Sequence, residues 1–158
     1  MFKKYLIAFL VSMVPIIELR GGVPIAVGQG LDYLPALLVC VIGNMLPVPF
    51  IYLFARKFLL WGAERKYLGK FCRRILEKGQ RGGEKLTKSS TRRGSLFLAL
   101  LLFVGIPLPG TGAWTGTLAA SFLNMGLKST TLSVCLGVII AGLIMGIVSV
   151  TGVHIFGL

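Results

Sequence analysis

Acidic residues are scarce. Five Asp and Glu stand against seventeen Lys and Arg in 158 residues, a formal net charge of +12. No apolar region holds two carboxylates, so the paired acids of a hydrolase cannot be assembled inside the chain. One histidine, His154, stands alone near the C-terminal end with no acid or nucleophile beside it. The three cysteines, Cys40, Cys72 and Cys135, are odd in number and far apart, which suits neither a disulfide framework nor a metal site. A hydrolytic or metal-dependent enzyme therefore lacks its parts, and no catalytic residue, metal or cofactor is expected. Charge of either sign is also low, at 14%, where a soluble domain carries about a quarter. Hydrophobic residues make up 55% and mean hydropathy is +0.85, the composition of an integral membrane protein.

The basic charge that remains is concentrated. Thirteen Lys or Arg fall between Arg56 and Arg93, against Glu64, Glu77 and Glu84, so this one loop holds +10 of the net charge. A short basic loop between oily segments is what the positive-inside bias produces at the cytoplasmic side of a cell membrane, and nucleic acid is not expected as a partner. Within it, Trp61 to Lys78 places Tyr67/Leu68, Phe71/Cys72 and Ile75/Leu76 at four-residue steps, which predicts an amphipathic helix, either on the inner leaflet or packed on the protein itself at the cytoplasmic side. Gly79 to Ser95 is a Gly/Ser/Thr-rich connector without a Walker-type loop. Lys3-Lys4 followed by Tyr5 to Val14 resembles a signal peptide, but no small-x-small site follows, so the segment is expected to stay in the mature chain.

Two polar interruptions organise the apolar sequence. The first is Pro15-Ile-Ile-Glu18-Leu-Arg20-Gly21-Gly22-Val-Pro24, and the second is Pro107-Leu-Pro109-Gly110-Thr111-Gly112-Ala-Trp114-Thr115-Gly116. Tyr5 to Val14 and Val23 to Leu31 flank the first; Leu96 to Ile106 and Thr117 to Leu123 flank the second. Each arm is about half the length needed to cross a bilayer. After Asp32 and after Asn124 to Ser129 come longer runs, Leu34 to Phe54 and Thr130 to Phe156, each long enough to span. Gly43-Asn44 and Pro47-Val-Pro49 predict a kink or break in the first of these.

The expected fold is therefore an all-α membrane protein of two pseudo-repeats, 1–55 and 95–158, each a re-entrant hairpin plus a spanning helix, joined by the basic segment 56–94. A slide of 92 residues superposes Pro15 on Pro107, Leu31 on Leu123 and Asp32 on Asn124, and Val39-Cys40 meets Val134-Cys135 after three more residues. One hairpin and one span per half make the repeats inverted, with Asp32 and Asn124 on opposite sides. The competing topology, four full spans, suits Lys3-Lys4 but leaves Glu18 and Arg20 in mid-span.

Those two residues carry the strongest signal. Glu18 is the carboxylate and Arg20 the cation set within apolar sequence, and ionisable groups at membrane depth mark function or a structural ion pair. On extended backbone they could pair; on a helix they diverge, leaving Glu18 free to exchange a proton. Gly21, Gly22, Gly110 and Gly112 offer positive φ and exposed amides that could cradle an anion. Thr111 and Thr115 add hydroxyls, Trp114 an aromatic wall, and Asn44 a polar contact from the kinked span. Pro15, Pro24, Pro107 and Pro109 shape the two tips. The alternative for Gly112-x-x-x-Gly116 and Gly142-x-x-x-Gly146 is plain helix packing.

Through Glu18-Leu-Arg20-Gly21-Gly22-Val-Pro24 and the second interruption, the chain resembles the small multidrug export protein family of prokaryotic membrane proteins, over nearly its whole length. That family is similar in layout to DedA-type membrane proteins, which are associated with lipid-phosphate carriers and paired re-entrant hairpins, although this chain lacks their longer acidic and arginine motifs. The resemblance implies export. Taken with the residues, it predicts a small secondary transporter, a dimer with Gly142 and Gly146 as the candidate contact, for an amphipathic or lipid-phosphate substrate. Glu18 would couple it to a proton, and Arg20 with the second tip would bind substrate. A non-transporting scaffold that uses the basic stretch to recruit anionic lipid, and passive lipid scrambling, are the alternatives.

Overall fold

The computed structural model describes residues 1–64, 69, 70, 73, 77, 90–108 and 110–156. Among these the chain forms the helices α1 (Phe2–Met13), α2 (Glu18–Gly28), α3 (Tyr33–Met45), α4 (Val48–Ala63), α5 (Ser90–Gly105), α6 (Ala113–Phe122) and α7 (Leu127–Phe156), and no strand. Most of the expected amphipathic stretch Trp61 to Lys78, and the connector as far as residue 89, lie outside the described residues.

Burial is arranged as a bilayer requires. Small and hydroxyl residues face inward: Ala8 and Ser12 in α1, Gly22 and Ala26 in α2, Ala113, Gly116 and Ala120 in α6. Large apolar side chains face outward, such as Leu6 and Leu10 in α1, Leu38 and Ile42 in α3, and Ile147 and Val148 in α7. Lipid is as apolar as leucine, so helices associate in it through close backbone approach rather than by hiding oil. Two stretches are long and apolar enough to cross a membrane, Tyr33–Ala55 with 23 residues and Leu127–Gly152 with 26. The first runs through α3 and α4 and breaks at Leu46-Pro47. Pro47 and Pro49 have no N–H to offer the carbonyls of Gly43 and Met45, which is the expected cause of the break.

The same unit of structure is built twice. In the first half α1 and α3 run parallel, with Gly43 against the Phe9 carbonyl, and α2 lies between them in the opposite direction, with Gly22 against Ala8, Ser12 and Cys40. In the second half α5 and α7 run parallel, with Ser133 Oγ donating to the Phe97 carbonyl at 2.7 Å and Gly137 against the Leu101 carbonyl; α6 returns with Gly116 against Leu100 and Val104. Both returning helices end in the same reversal. Leu31 N–H bonds Ala26 O with Gly30 at φ +74, and Met125 N–H bonds Ala120 O with Asn124 at φ +55.

These matches correct the expected register. Pro15 and Pro107 do correspond, but from the returning helix onward Gly30 matches Asn124, Leu31 matches Met125 and Gly43 matches Gly137, a displacement of two residues. The difference is the longer second interruption. The two halves pack through α2 and α3 on α7 and through α4 on α6; α3 and α7 run antiparallel, with Leu37 at Gly142 and the Tyr33 ring at Gly146. Tyr33 Oη also donates to the Gly142 carbonyl at 3.1 Å. Gly142 and Gly146 are thus occupied within the chain and offer no face to a second copy.

Adding a methyl group at Gly43 would put it 2.6 Å from the Phe9 carbonyl oxygen, and at Gly137 2.8 Å from that of Leu101. Gly43→Ala and Gly137→Ala should each lower stability by about 1–3 kcal/mol in detergent thermal melts. Gly28→Ala, with nothing near the added group, should leave the melt unchanged or raise it slightly.

Candidate functional site

The interruptions are shorter than expected, and that changes the role of several residues. The first occupies only residues 14–17, because α2 begins at Glu18. Gly21 and Gly22 are therefore helical, and neither has positive φ. The Gly21 amide bonds Ile17 O within its own helix, and Gly22 is the contact that lets α2 meet α1 and α3, so neither cradles an anion as expected. Two helical glycines cost about 1 kcal/mol each in propensity, which close packing offsets. Pro24 sits inside α2 rather than at a tip. The second interruption ends at Gly112, where α6 begins, so Trp114 and Thr115 are also helical. Pro15 and Pro107 lie in the two breaks. Pro109 lies outside the described residues.

The two breaks meet at the N-terminal ends of α2 and α6. Glu18, 5% exposed, accepts hydrogen bonds from Ala113 N–H to Oε2 and Trp114 N–H to Oε1, both 3.0 Å. The N-cap residue of α6 is Gly112, which has no side chain to cap with. Glu18 supplies that cap from the other half of the chain. A carboxylate at this position satisfies two of the amides every helix leaves unpaired and sits at the positive end of the helix dipole. Gly112 is required for space, since a Cβ there would fall on the Glu18 carboxylate. Trp114 adds a further tie, its Nε1 donating to the Met13 carbonyl at 3.2 Å.

Arg20 makes the second bridge. Its Nη1 donates to the Leu108 carbonyl and its Nη2 to Thr111 Oγ1 at 2.7 Å. Thr111 Oγ1 is itself 2.9 Å from the Ile106 and Leu108 carbonyl oxygens, so the hydroxyl organises the loop that Arg20 grips. Glu18 and Arg20 do not pair with each other; on a helix they diverge, and each reaches a different part of the second interruption. Glu18 is held on both oxygens rather than left free. The arrangement carries strain, because Ile16 and Glu18 have φ of +77 and +51. Such conformations cost on the order of 1–3 kcal/mol each and persist where surrounding contacts hold them.

The other expected residues divide. Gly110 has φ +85 and open space around it, as a tip glycine should. Thr115 Oγ1 turns back to the Gly112 carbonyl at 3.4 Å and takes no part in the junction. Asn44 is 2% exposed and its Oδ1 has no hydrogen-bond partner, so it bonds to neither tip through that atom. The carbonyls of Met13, Leu108 and Ile106 were not foreseeable, since main-chain acceptors leave no mark in sequence.

Glu18→Gln keeps size but loses charge and one acceptor, and should cost about 1–2 kcal/mol in thermal unfolding. Gly112→Ala should cost at least as much, because its methyl group takes the place of the carboxylate. A melt unchanged in both variants would remove the cap from the account.

Comparison with curated proteins and with solved structures returns no match. A family model described as "Putative small multi-drug export protein" matches residues 18–144. The match begins at Glu18 itself and takes in both bridges, the basic segment and most of α7. With these elements and the greater part of its length inside the matched span, the chain belongs to the small multi-drug export protein family of membrane proteins.

Proposed function

We propose that the protein is a proton-coupled exporter of amphipathic, anion-bearing compounds, and that the junction of α2 and α6 is its gate. The observation that carries this reading is the Glu18 carboxylate seated on the Ala113 and Trp114 amides. A helix N-terminus is a ready site for phosphate or carboxylate, and here the chain's own acid fills it. An anionic substrate group competes with Glu18 for those donors, with Arg20 alongside as the other charged group among the described residues of the junction. Protonating Glu18 removes an acceptor and frees an amide. Proton uptake and anion binding are thereby linked at one pair of N–H groups.

An apolar cavity of about 200 Å³ lies between α5 and α6, lined by Leu96, Leu100, Phe103, Ala120, Leu123 and Met125 among others. It suits the oily part of such a substrate. At the corresponding place in the first half, Lys4 Nζ donates to the Gln29 carbonyl at 2.6 Å.

Helix lengths favour hairpins that turn inside the bilayer. At 12, 11 and 10 residues, α1, α2 and α6 reach only about 15–18 Å, roughly half the hydrocarbon core. The antiparallel α3 and α7 favour an inverted repeat, with the basic segment on the cytoplasmic face.

Flux of a fluorescent amphipathic anion in proteoliposomes tests the gate. Arg20→Ala should abolish it, while Glu18→Gln should leave flux that no longer follows a pH gradient. The reverse pattern would point to a lipophilic cation, and wild-type flux in both variants would end the proposal. Flux that needs no gradient in the unaltered protein would instead indicate scrambling. Single cysteines at Asp32 and Asn124, in a background freed of the native three, should react with impermeant reagent from opposite sides. Labelling from the same side would overturn the inverted hairpins.

A further inference from the structure

Among the described residues, three buried side-chain oxygens have no hydrogen-bond partner: Asn44 Oδ1, Thr117 Oγ1 and Thr130 Oγ1. Asn44 is 2% exposed and the two threonines 0%. An acceptor left bare in a low-dielectric interior is costly, so native proteins fill such places. Asn44 lies just before the α3–α4 break and Thr117 lies on α6, which packs on α4, and two helix registers place them relative to the junction. Helices α2 and α3 are antiparallel with Gly22 at Cys40. One turn back along α2 and one turn on along α3 sets Glu18 level with Asn44.

The second register uses α6, which packs on α4 and runs in the direction of α3 and α4. Ser121 Oγ donates to the Tyr52 carbonyl at 3.2 Å. One turn back on both helices sets Thr117 level with Val48, the first residue of α4 after the break. Ala113, one turn further back on α6, is the residue whose amide holds Glu18. The first register therefore puts Asn44 at the depth of Glu18, and the second puts Thr117 beside the start of α4, one turn from Ala113.

The break between α3 and α4 adds oxygens at the same depth. The carbonyls of Gly43 and Met45 cannot receive the usual i+4 amide bond, because Pro47 and Pro49 have none to give. We infer that Asn44 Oδ1, Thr117 Oγ1 and the carbonyls freed at the α3–α4 break form a site for an alkali-metal cation beside Glu18. The donor set is all oxygen and, apart from Glu18, neutral. Hard oxygen donors select a hard ion, and the single acid, already held by two amides, cannot balance a divalent one in apolar surroundings. Carbonyls at a broken membrane helix are suited to this chemistry. The inference rests on the gate reading in one respect: the cation is a second ion acting at the same junction.

Thermal melts of the detergent-purified protein, at constant ionic strength in Na⁺, K⁺ or N-methylglucamine, read binding without transport. Na⁺ or K⁺ should raise the midpoint temperature saturably over N-methylglucamine, and the comparison identifies which. Thr117→Val, close in shape, should raise the cation concentration needed by about tenfold. Asn44→Leu should abolish the effect; should that variant fail to fold, Thr117→Val decides. Thr130→Val, at the start of α7, should bind as the unaltered protein does. No difference between alkali ions and N-methylglucamine, or an unchanged titration in Thr117→Val, would overturn the site. A saturable cation effect without flux leaves the site standing and removes the exporter, and flux without a cation effect does the reverse.

Discussion

The structure depends on one carboxylate capping a helix that belongs to the other half of the chain. Without Glu18, α6 would begin at a glycine with its first amides unpaired in an apolar interior, a state that costs several kcal/mol per group in hydrocarbon. With it, two short helices that are each too brief to be stable alone become one tip-to-tip unit. Arg20 and Trp114 then fasten the flanks, one through the Leu108 carbonyl and Thr111, the other through the Met13 carbonyl. The positive φ at Ile16 and Glu18 is tolerated because these ties over-determine the local backbone.

The rest of the packing follows from the same shortage of polar partners. Where no apolar driving force separates protein from solvent, helices are held by close approach, and Gly22, Gly43, Gly116, Gly137, Gly142 and Gly146 mark the places where backbone meets a neighbour. The glycines at 43 and 137 do the same thing in the two halves, each admitting the carbonyl of the parallel helix. The repeat is therefore a repeat of contacts, more visible in packing than in residue identity.

Much of this could be read from the chain alone, and the parts that could not have a common cause. Apolar run length located both spans, and Pro47 with Pro49 located the break between α3 and α4. Glu18 and Arg20 stood out because ionisable groups are rare in oily sequence. The tips were drawn too long because Gly21-Gly22 and Pro24 look like helix breakers, whereas tertiary contact with Ala8, Ser12 and Cys40 keeps them helical. The true partners of Glu18 and Arg20 are mostly main-chain groups, which every residue possesses and no composition reveals. The GxxxG stripe at Gly142 and Gly146 gave a correct spacing but not its partner, which is α2 and α3 of the same chain.

The longer second interruption makes the two halves chemically unequal. At the junction the first copy contributes side chains, a carboxylate and a guanidinium, and the second contributes mainly peptide groups. Point substitution can therefore alter the electrical character of this centre through the first copy, while the shape supplied by the second stays as it was. Under the proposed gate, exchanging one or two residues would retune such a protein to new cargo, with no need to rebuild its scaffold.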